Sequence, residues 1–323
     1  MSTTAPNYTD ILNLSAAFII LVIGIIGLVS NFFIIYIFIK SAAERTSFNI
    51  ICVSRAVVNI IIIAWAFLGT FLPITLIGVS PFSPFYETLV IGIANSLYSG
   101  FQVTGMYIAI NRFCAMYFTM YYSKFFGFKT TLFITSLLFL YRLVRITMQF
   151  FRYIPRECWL TYTSIDLTWF PNMDPKCEED HDYQIDATAI FLVAMGLLNA
   201  ATFSKIYFFY KSTDLDVKER RRKQKKNQAL FIQTMIQDAV ILIDMVFTYK
   251  LSLLSNKRAW SFFCGTVIWQ CVHSFDGVIM VLFNERLTFI KKTLFTPSSA
   301  SPSVVLPGKT NSVTPSMYPS RVE

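Results

Sequence analysis

The sequence predicts an all-α membrane protein: a bundle of seven transmembrane helices, N-terminus outside, with a short amphipathic helix after the seventh span. Three observations predict it. Of 323 residues, 54% are hydrophobic and only 15% charged, where a soluble domain carries about a quarter charged; mean hydropathy is +0.52. The charge is missing from long blocks and returns in short loops, as expected of bilayer helices rather than one soluble core. Basic residues also favour alternate loops.

The first span covers residues 14–39, with no charged residue until Lys40 and Arg45 close it. That length crosses about 30 Å of hydrocarbon with some tilt. No Lys or Arg precedes it, so a retained anchor is expected rather than a cleaved leader. The second runs over 48–76, carries Arg55 and ends among Pro73, Gly78, Pro81 and Pro84. The third covers 88–111 and stops at Arg112. The fourth is the weakest: 130–141 is apolar, but Arg142 and Arg145 follow before Phe150 and Phe151. A long polar segment, 152–184, comes next. The fifth, sixth and seventh spans cover 185–210, 229–249 and 259–283; the sixth contains Asp238 and Asp244, the seventh His273 and Asp276.

Residues 284–295 place apolar side chains at helical spacing opposite a basic face, which suits a helix on the inner leaflet. From Pro297 the tail is rich in Ser, Thr and Pro and is expected to be disordered. The chain thus divides into an extracellular N-terminus (1–13), a seven-helix domain (14–283), an inner-surface helix (284–295) and a cytoplasmic tail (296–323).

Of 28 basic residues, eight fall outside or in outer helix ends: Arg142, Arg145, Arg152, Arg156, Lys176, Lys250, Lys257 and Arg258. Apart from Arg55, the rest lie in cytoplasmic pieces if the N-terminus is outside, which sets the orientation. The same rule accounts for the net charge of +9, and no nucleic-acid partner is expected. The Asn-x-Ser/Thr sites at Asn7 and Asn13 are both at the outer end; Asn7, farther from the bilayer, is the candidate glycosylation site.

Cys52, Cys114, Cys264 and Cys271 sit in or beside helices, where free Cys is normally a small core residue. Cys158 and Cys177 share the extracellular segment between the fourth and fifth spans. As the one pair in an oxidising compartment they are expected to form a disulfide, worth roughly 3 kcal/mol in the loop-entropy model; the alternative is two free outer thiols.

Several motifs resemble the rhodopsin-like G-protein-coupled receptor pattern. Gly27-Leu28-Val29-Ser30-Asn31 matches the first-helix Asn. Asn59 stands where the pattern has Asp, and Asn111-Arg112-Phe113 where it has Asp/Glu-Arg-Tyr. Asp276-Gly277-Val278-Ile279-Met280 takes the Asn-Pro-x-x-Tyr place, with Asn284 four positions on. The Pro and Tyr of that motif are absent, as is the Cys-Trp-x-Pro element of the sixth helix. Glu87 stands where a Cys usually tops the third.

The chain resembles more closely the nematode serpentine receptors of class x, over about residues 20–290. The resemblance rests on Ser47-Phe48-Asn49-Ile50-Ile51-Cys52 with Ser54-Arg55-Ala56, on residues 111–118 (Asn111-Arg112-Phe113-Cys114-Ala115-Met116-Tyr117-Phe118), and on Cys158-Trp159, Trp169-Phe170 and Cys177. It implies a chemosensory receptor in the plasma membrane, in the ciliary membrane of sensory neurons. Such a receptor binds a small-molecule or peptide ligand outside and a heterotrimeric G protein inside. Arg112 is then the arginine that the G protein engages, flanked by Asn111 and Phe113, and Asn31, Asn59 and Asp276 form the activation core. Acid and amide are exchanged between the second and seventh helices relative to the rhodopsin-like pattern; if those helices pack the same way, one polar contact survives with its roles reversed. A lone Asp costs about 2.5–3.5 kcal/mol on the insertion scale, so Asp276 should face the bundle and find a partner.

Other polar residues have two readings each. Arg142, Arg145 and Gln149 are spaced to share a helix face, where they grip an anionic ligand group or snorkel to the outer headgroups. Arg55 is expected to snorkel inward. Asp244 falls in the outer half of its span, near Trp269 and His273, as a ligand-pocket candidate; His273 alone suits a hydrogen-bonded core residue as well. Asp238 is near mid-bilayer. The run 218–226, with Arg222, Lys225 and Lys226, suits a G protein, anionic lipid, or topology alone. Tail serines and threonines would recruit an arrestin-like regulator when phosphorylated.

An enzyme is not expected, nor a cofactor or metal: the two histidines, His181 and His273, are far apart, and no catalytic motif is present. The seventh span has no Lys for a retinal Schiff base. The competing functions are an ion channel or transporter using intramembrane carboxylates, and a seven-helix protein that acts in assembly or trafficking without coupling.

Overall fold

The computed structural model describes residues 10–41, 45–171, 177, 181–212 and 217–283. Asn7, the segment expected to form an inner-surface helix (284–295) and the expected tail (296–323) lie outside the described residues. So do the side chains of Arg222, Lys225 and Lys226, whose backbone is helical.

Among the described residues the chain builds seven long helices: α1 (Ile11–Lys40), α2 (Ser47–Ile77), α3 (Pro84–Tyr117), α5 (Phe128–Tyr153), α6 (His181–Ser212), α7 (Val217–Tyr249) and α8 (Arg258–Phe283). A short helix, α4 (Thr119–Phe125), lies between the third and fourth spans. Local chemistry sets several ends. Asp10 caps α1 by accepting from Leu12 N–H at 2.9 Å, and Thr46 caps α2. Ser83 followed by Pro84 starts α3, the proline filling a first-turn position that has no intrahelical bond to lose. Gly78 ends α2 at φ 83°, a left-handed conformation that suits glycine.

The bundle turns small and polar residues inward and large apolar ones outward. On α1 the buried stripe is Asn13, Ala16, Ala17, Ile20, Gly24, Gly27, Ser30, Asn31 and Ile34, while Phe18, Ile25, Val29, Phe32 and Tyr36 are exposed. Hydrocarbon solvates the outer set as well as a core would, so close packing and interior hydrogen bonds hold the helices together.

The fourth span forms without a break as α5. Six of the long helices are apolar enough to cross a membrane, and α3 is the exception. It is 34 residues long but carries Glu87, Asn95, Gln102, Thr104, Asn111 and Arg112. Glu87, Gln102, Thr104 and Asn111 are buried because α3 packs against α2, α5 and α6, which shield its polar groups from lipid.

The loop between the fourth and fifth spans, a polar segment by sequence, contains an antiparallel hairpin of β1 (Leu160–Thr163) and β2 (Thr168–Pro171). Tyr162 pairs with Trp169 and Thr163 with Thr168. Leu160, Tyr162 and Leu167 are buried and join the main core formed by Phe67, Phe71 and Trp269. The hairpin therefore fills the end of the bundle rather than lying over it. Gly265 on α8 permits the approach, since a Cβ there would collide with Thr168 Oγ1.

Candidate functional site

A buried carboxylate forms the centre of the bundle. Asp276 of α8 accepts through Oδ1 from Arg55 Nη2 at 2.7 Å and Gln237 Nε2 at 2.6 Å, and through Oδ2 from Asn59 Nδ2 at 2.8 Å. Both Arg55 and Asp276 are 2% exposed. Because the Asn59 amide nitrogen faces the carboxylate, its Oδ1 faces His273 Nδ1 at 2.9 Å. An amide oxygen can only accept, so Nδ1 carries the ring proton. Asn59 Nδ2 also reaches Asn31 Oδ1 at 3.1 Å, and Asn31 Nδ2 donates to the His273 carbonyl at 3.2 Å. Gly277 leaves room for Asn31, whose Nδ2 would stand 2.6 Å from a Cβ at that position. One acid thus gathers α1, α2, α7 and α8.

Arg55 does not snorkel. Its guanidinium lies 3.7 Å from the centroid of the Phe101 ring and ends on Asp276. A charge this deep needs a paired partner, and the carboxylate of α8 supplies it more directly than the inner headgroups do.

The outer half carries a second set. Asp244 is buried, and Tyr98 Oη donates to its Oδ2 at 2.5 Å. The Tyr98 ring packs edge-on to His273 at 5.9 Å, and Trp269 stands 6.3 Å from His273. The ligand-pocket candidates Asp244, Trp269 and His273 therefore converge, with Tyr98 as the bridge. Asp238, a turn and a half inward, is half-buried and accepts from Asn199 Nδ2 at 2.8 Å. Arg142 is buried against α3, donating to Gly100 O and Thr104 Oγ1, whereas Arg145 is exposed. Three residues turn a helix by 300°, leaving the two about 60° apart; the packed seam covers the first only.

At the other end of α3, Arg112 Nη1 donates to Thr234 Oγ1 on α7 at 2.5 Å, with its guanidinium 4.8 Å from the Phe48 ring. Asn111 instead accepts from Tyr122 Oη of α4 at 3.4 Å, and Tyr122 Oη lies 3.0 Å from Ser47 Oγ. Phe113 stacks on Tyr117 at 4.5 Å. Thr234 and Gln237 sit one turn apart, so α7 is joined to both Arg112 and Asp276.

The hairpin is fastened around its rim. Glu87 Oε2 accepts from Tyr162 N–H at 2.8 Å and Oε1 from Ser80 Oγ at 2.5 Å. Thr88 Oγ1 bonds both the N–H and the carbonyl of Leu160. Arg258 holds Asp10 Oδ2 at 2.5 Å, Asn13 Oδ1 at 2.7 Å, Ser164 O at 3.1 Å and Ile165 O. The Arg258 hydrogen bond and the Leu12 N–H keep the Asp10 carboxyl below its ordinary range. Cys158 and Cys177 are joined as a disulfide, which closes the loop on itself.

Residues 21–284 match the profile of the family described as serpentine type 7TM GPCR chemoreceptor Srx. The chain belongs to this family. It is 24% identical over 297 residues to serpentine receptor class X 45 of Caenorhabditis elegans, covering 84% of this chain and 79% of that one. Among solved structures, squid rhodopsin superposes with a TM-score of 0.67 at 14% identity, covering 88% of this chain and 86% of the rhodopsin. That likeness shows the shared seven-helix fold.

Sequence reasoning did not anticipate four residues of this Srx receptor: Gln237, Tyr98, Glu87 and Tyr162. Gln237 had a signal, since it precedes Asp238 and lies seven residues before Asp244, on the inward face of α7. Glu87 stood out only as the replacement of a cysteine. Its carboxylate now tethers the hairpin to α3. Tyr162 lies among residues rich in aromatic and β-branched side chains, 161–163 and 168–170, which is a strand signal.

Proposed function

We propose that this Srx receptor binds a small-molecule or peptide ligand in its outer half, beneath the hairpin, and activates a heterotrimeric G protein at the Arg112 end. The observation that carries the reading is the doubly anchored α7. Gln237 holds it to Asp276, and Thr234 holds it to Arg112. A ligand that moves Trp269 or Tyr98 disturbs His273, hence Asn59 and Asp276. Loss of the Gln237 contact frees α7, and Arg112 then releases Thr234 and becomes available to a partner. Binding energy enters only as the difference in affinity between the two arrangements.

In this reading Asn111 positions α4 through Tyr122, Phe113 stiffens the end of α3, and Arg222, Lys225 and Lys226 are further contacts for the G protein. Asp244, Trp269 and His273 belong to the pocket with Tyr98. Arg142 is a helix-joining cation between α5 and α3, and Arg145 reaches toward the headgroups. Asn7 glycosylation, a ciliary plasma-membrane location and an arrestin-like regulator at the tail complete the proposal.

The channel reading is less well supported, because Asp276 is already neutralised by Arg55. The crevice beside it, lined by Phe101, Gln237, Val240, Val272, Asp276 and Ile279, has no room for a water molecule, and so offers no path for ions. Nucleotide exchange on added G proteins, measured in receptor membranes over an odorant panel, tests the proposal. Responses of the wild type should vanish in Arg112→Ala at equal surface expression. Odorant-gated current in the absence of G protein would sink it.

A further inference from the structure

The outer end of the bundle has an aromatic slot, and a side chain of the protein's own loop fills it. Phe67, Phe71 and Trp269 form the walls, with Phe67 edge-on to both of the others at 5.2 and 5.1 Å. Tyr162 enters from β1, stacks on Phe71 with centroids 4.3 Å apart and planes 13° from parallel, and brings its hydroxyl 3.0 Å from Thr75 Oγ1. The ring is 2% exposed. A flat ring on an aromatic platform with a hydroxyl partner at its far edge is the recognition geometry of a phenol.

The insertion is specifically built. Leu167, at the base of the hairpin turn, is held at φ 56°, a conformation that costs a branched residue about 1–2 kcal/mol. Glycine or asparagine would adopt it more easily. The leucine is instead fully buried, so the turn sustains a backbone penalty to drive apolar groups into the bundle. Yet the attachment is non-covalent. Glu87, Thr88, Arg258 and the Thr266 hydroxyl, which donates to Leu167 O at 2.7 Å, hold the hairpin by hydrogen bonds. Cys158–Cys177 ties the loop to itself, so the hairpin can withdraw with the disulfide intact. Trp269 leads from the slot to His273 and the Asp276 cluster.

We infer that this slot is the outer subsite of the ligand pocket, joined to its deeper part at Trp269, that the group it takes is a phenol or a comparably flat aryl alcohol, and that Tyr162 occupies it until such a molecule takes its place. The inference rests on the outer-half ligand reading and supplies its chemistry. As a tethered group Tyr162 competes at an effective concentration of mM order. A minimal phenol is therefore needed at tens of mM, whereas a natural ligand with further contacts works lower.

Full-length receptor in lipid nanodiscs, probed by hydrogen exchange at the amides of residues 160–163 and 167, tests this without any G protein. p-Cresol should cause a saturable loss of protection there in the wild type. Tyr162→Phe, which keeps the stack and loses the hydroxyl contact, should lower the half-effective p-cresol concentration about 5-fold. Thr75→Val, which strips the hydroxyl partner from occupant and probe alike, should abolish the advantage of p-cresol over toluene. Toluene, sharing the ring and the partition into lipid, should be about 5-fold weaker in the wild type. Equal effects of toluene and p-cresol, or no saturable p-cresol effect in wild type and Tyr162→Phe at unchanged thermal stability, overturn the inference. Exchange at the hairpin without G-protein activation would leave the slot standing and remove the coupling proposal instead; activation by unrelated ligands with an unresponsive hairpin would do the reverse.

Discussion

The outer mouth and the middle of the bundle are held by different forces. The outer mouth is closed by shape: aromatic rings, an inserted hairpin and many modest hydrogen bonds. The middle of the bundle is closed by charge, with one carboxylate, one guanidinium and three amides. Aromatic packing can exchange one occupant for another of similar form, because each contact is small and non-directional. A buried ion pair has no such tolerance, since removing either partner strands a charge in low dielectric. Selectivity therefore suits the outer region and all-or-none switching the inner one.

The largest effect should come from breaking the ion pair. Asp276→Leu leaves Arg55 unpaired, and a loss of about 3–5 kcal/mol is expected, seen as poor yield and a lowered melting temperature in detergent. Arg55→Met in the same chain should restore much of the stability while signalling stays lost. If Asp276→Leu alone melts like the wild type, the pair is not the keystone described. A subtler version exchanges the two polar partners. Asn59→Asp or Asp276→Asn alone should abolish signalling, and the double exchange should recover it; a silent double would count against the Asn59–Asp276 contact as the functional one.

Gln237→Leu removes a hydrogen bond to a charged group, worth about 1.5–3 kcal/mol, from the anchored side of α7. Basal nucleotide exchange on the G protein should rise roughly 10-fold or more, with little change in hairpin protection. At the outer mouth, Glu87→Ala should lower amide protection over 160–163 by about 1–3 kcal/mol, since Tyr162 N–H loses its acceptor. Glu87→Gln keeps an acceptor and should lose less. Reduction of Cys158–Cys177 should leave the same amides protected, because Glu87 rather than the disulfide joins the hairpin to α3.

The smallest effect concerns pH. Asp10 is the depressed carboxylate of the Arg258 cluster, so its contribution is present above its ordinary value of 3.8 and is lost as pH falls through the lower folded value. Hairpin exchange, corrected for intrinsic rate, should be flat from pH 8 to 5 and rise only under stronger acid. A rise near neutrality would assign the latch to another group.

Much of the fold was legible because bilayer energetics act on long windows: uncharged blocks gave seven spans, and basic loops gave their orientation. The Cys158–Cys177 pairing followed from compartment, and the adjacency of Asn59 and Asp276 was implied by the rhodopsin-like resemblance. Arg55 was less legible because its counter-ion lies 221 residues away and nothing local distinguishes a paired arginine from a snorkelling one. Arg142 and Arg145 share a helix face by spacing, but the edge of the packed seam runs between them. α3 was too polar for its position by hydropathy, and only the surrounding helices explain that. The hairpin was hidden by the mean polarity of its loop, although its aromatic and β-branched residues carried the strand signal.

Arg258 has a consequence for biosynthesis. It heads the seventh span, yet it clasps Asp10 at the head of the first and carbonyls of the loop between the fourth and fifth. The mouth can close only after the seventh span has been made. Arg55 likewise enters the membrane long before Asp276 exists, and the early helices must wait with an uncompensated cation among them. Truncated or stalled chains would therefore display a buried charge without its partner, a recognisable mark of an unfinished product for membrane quality control.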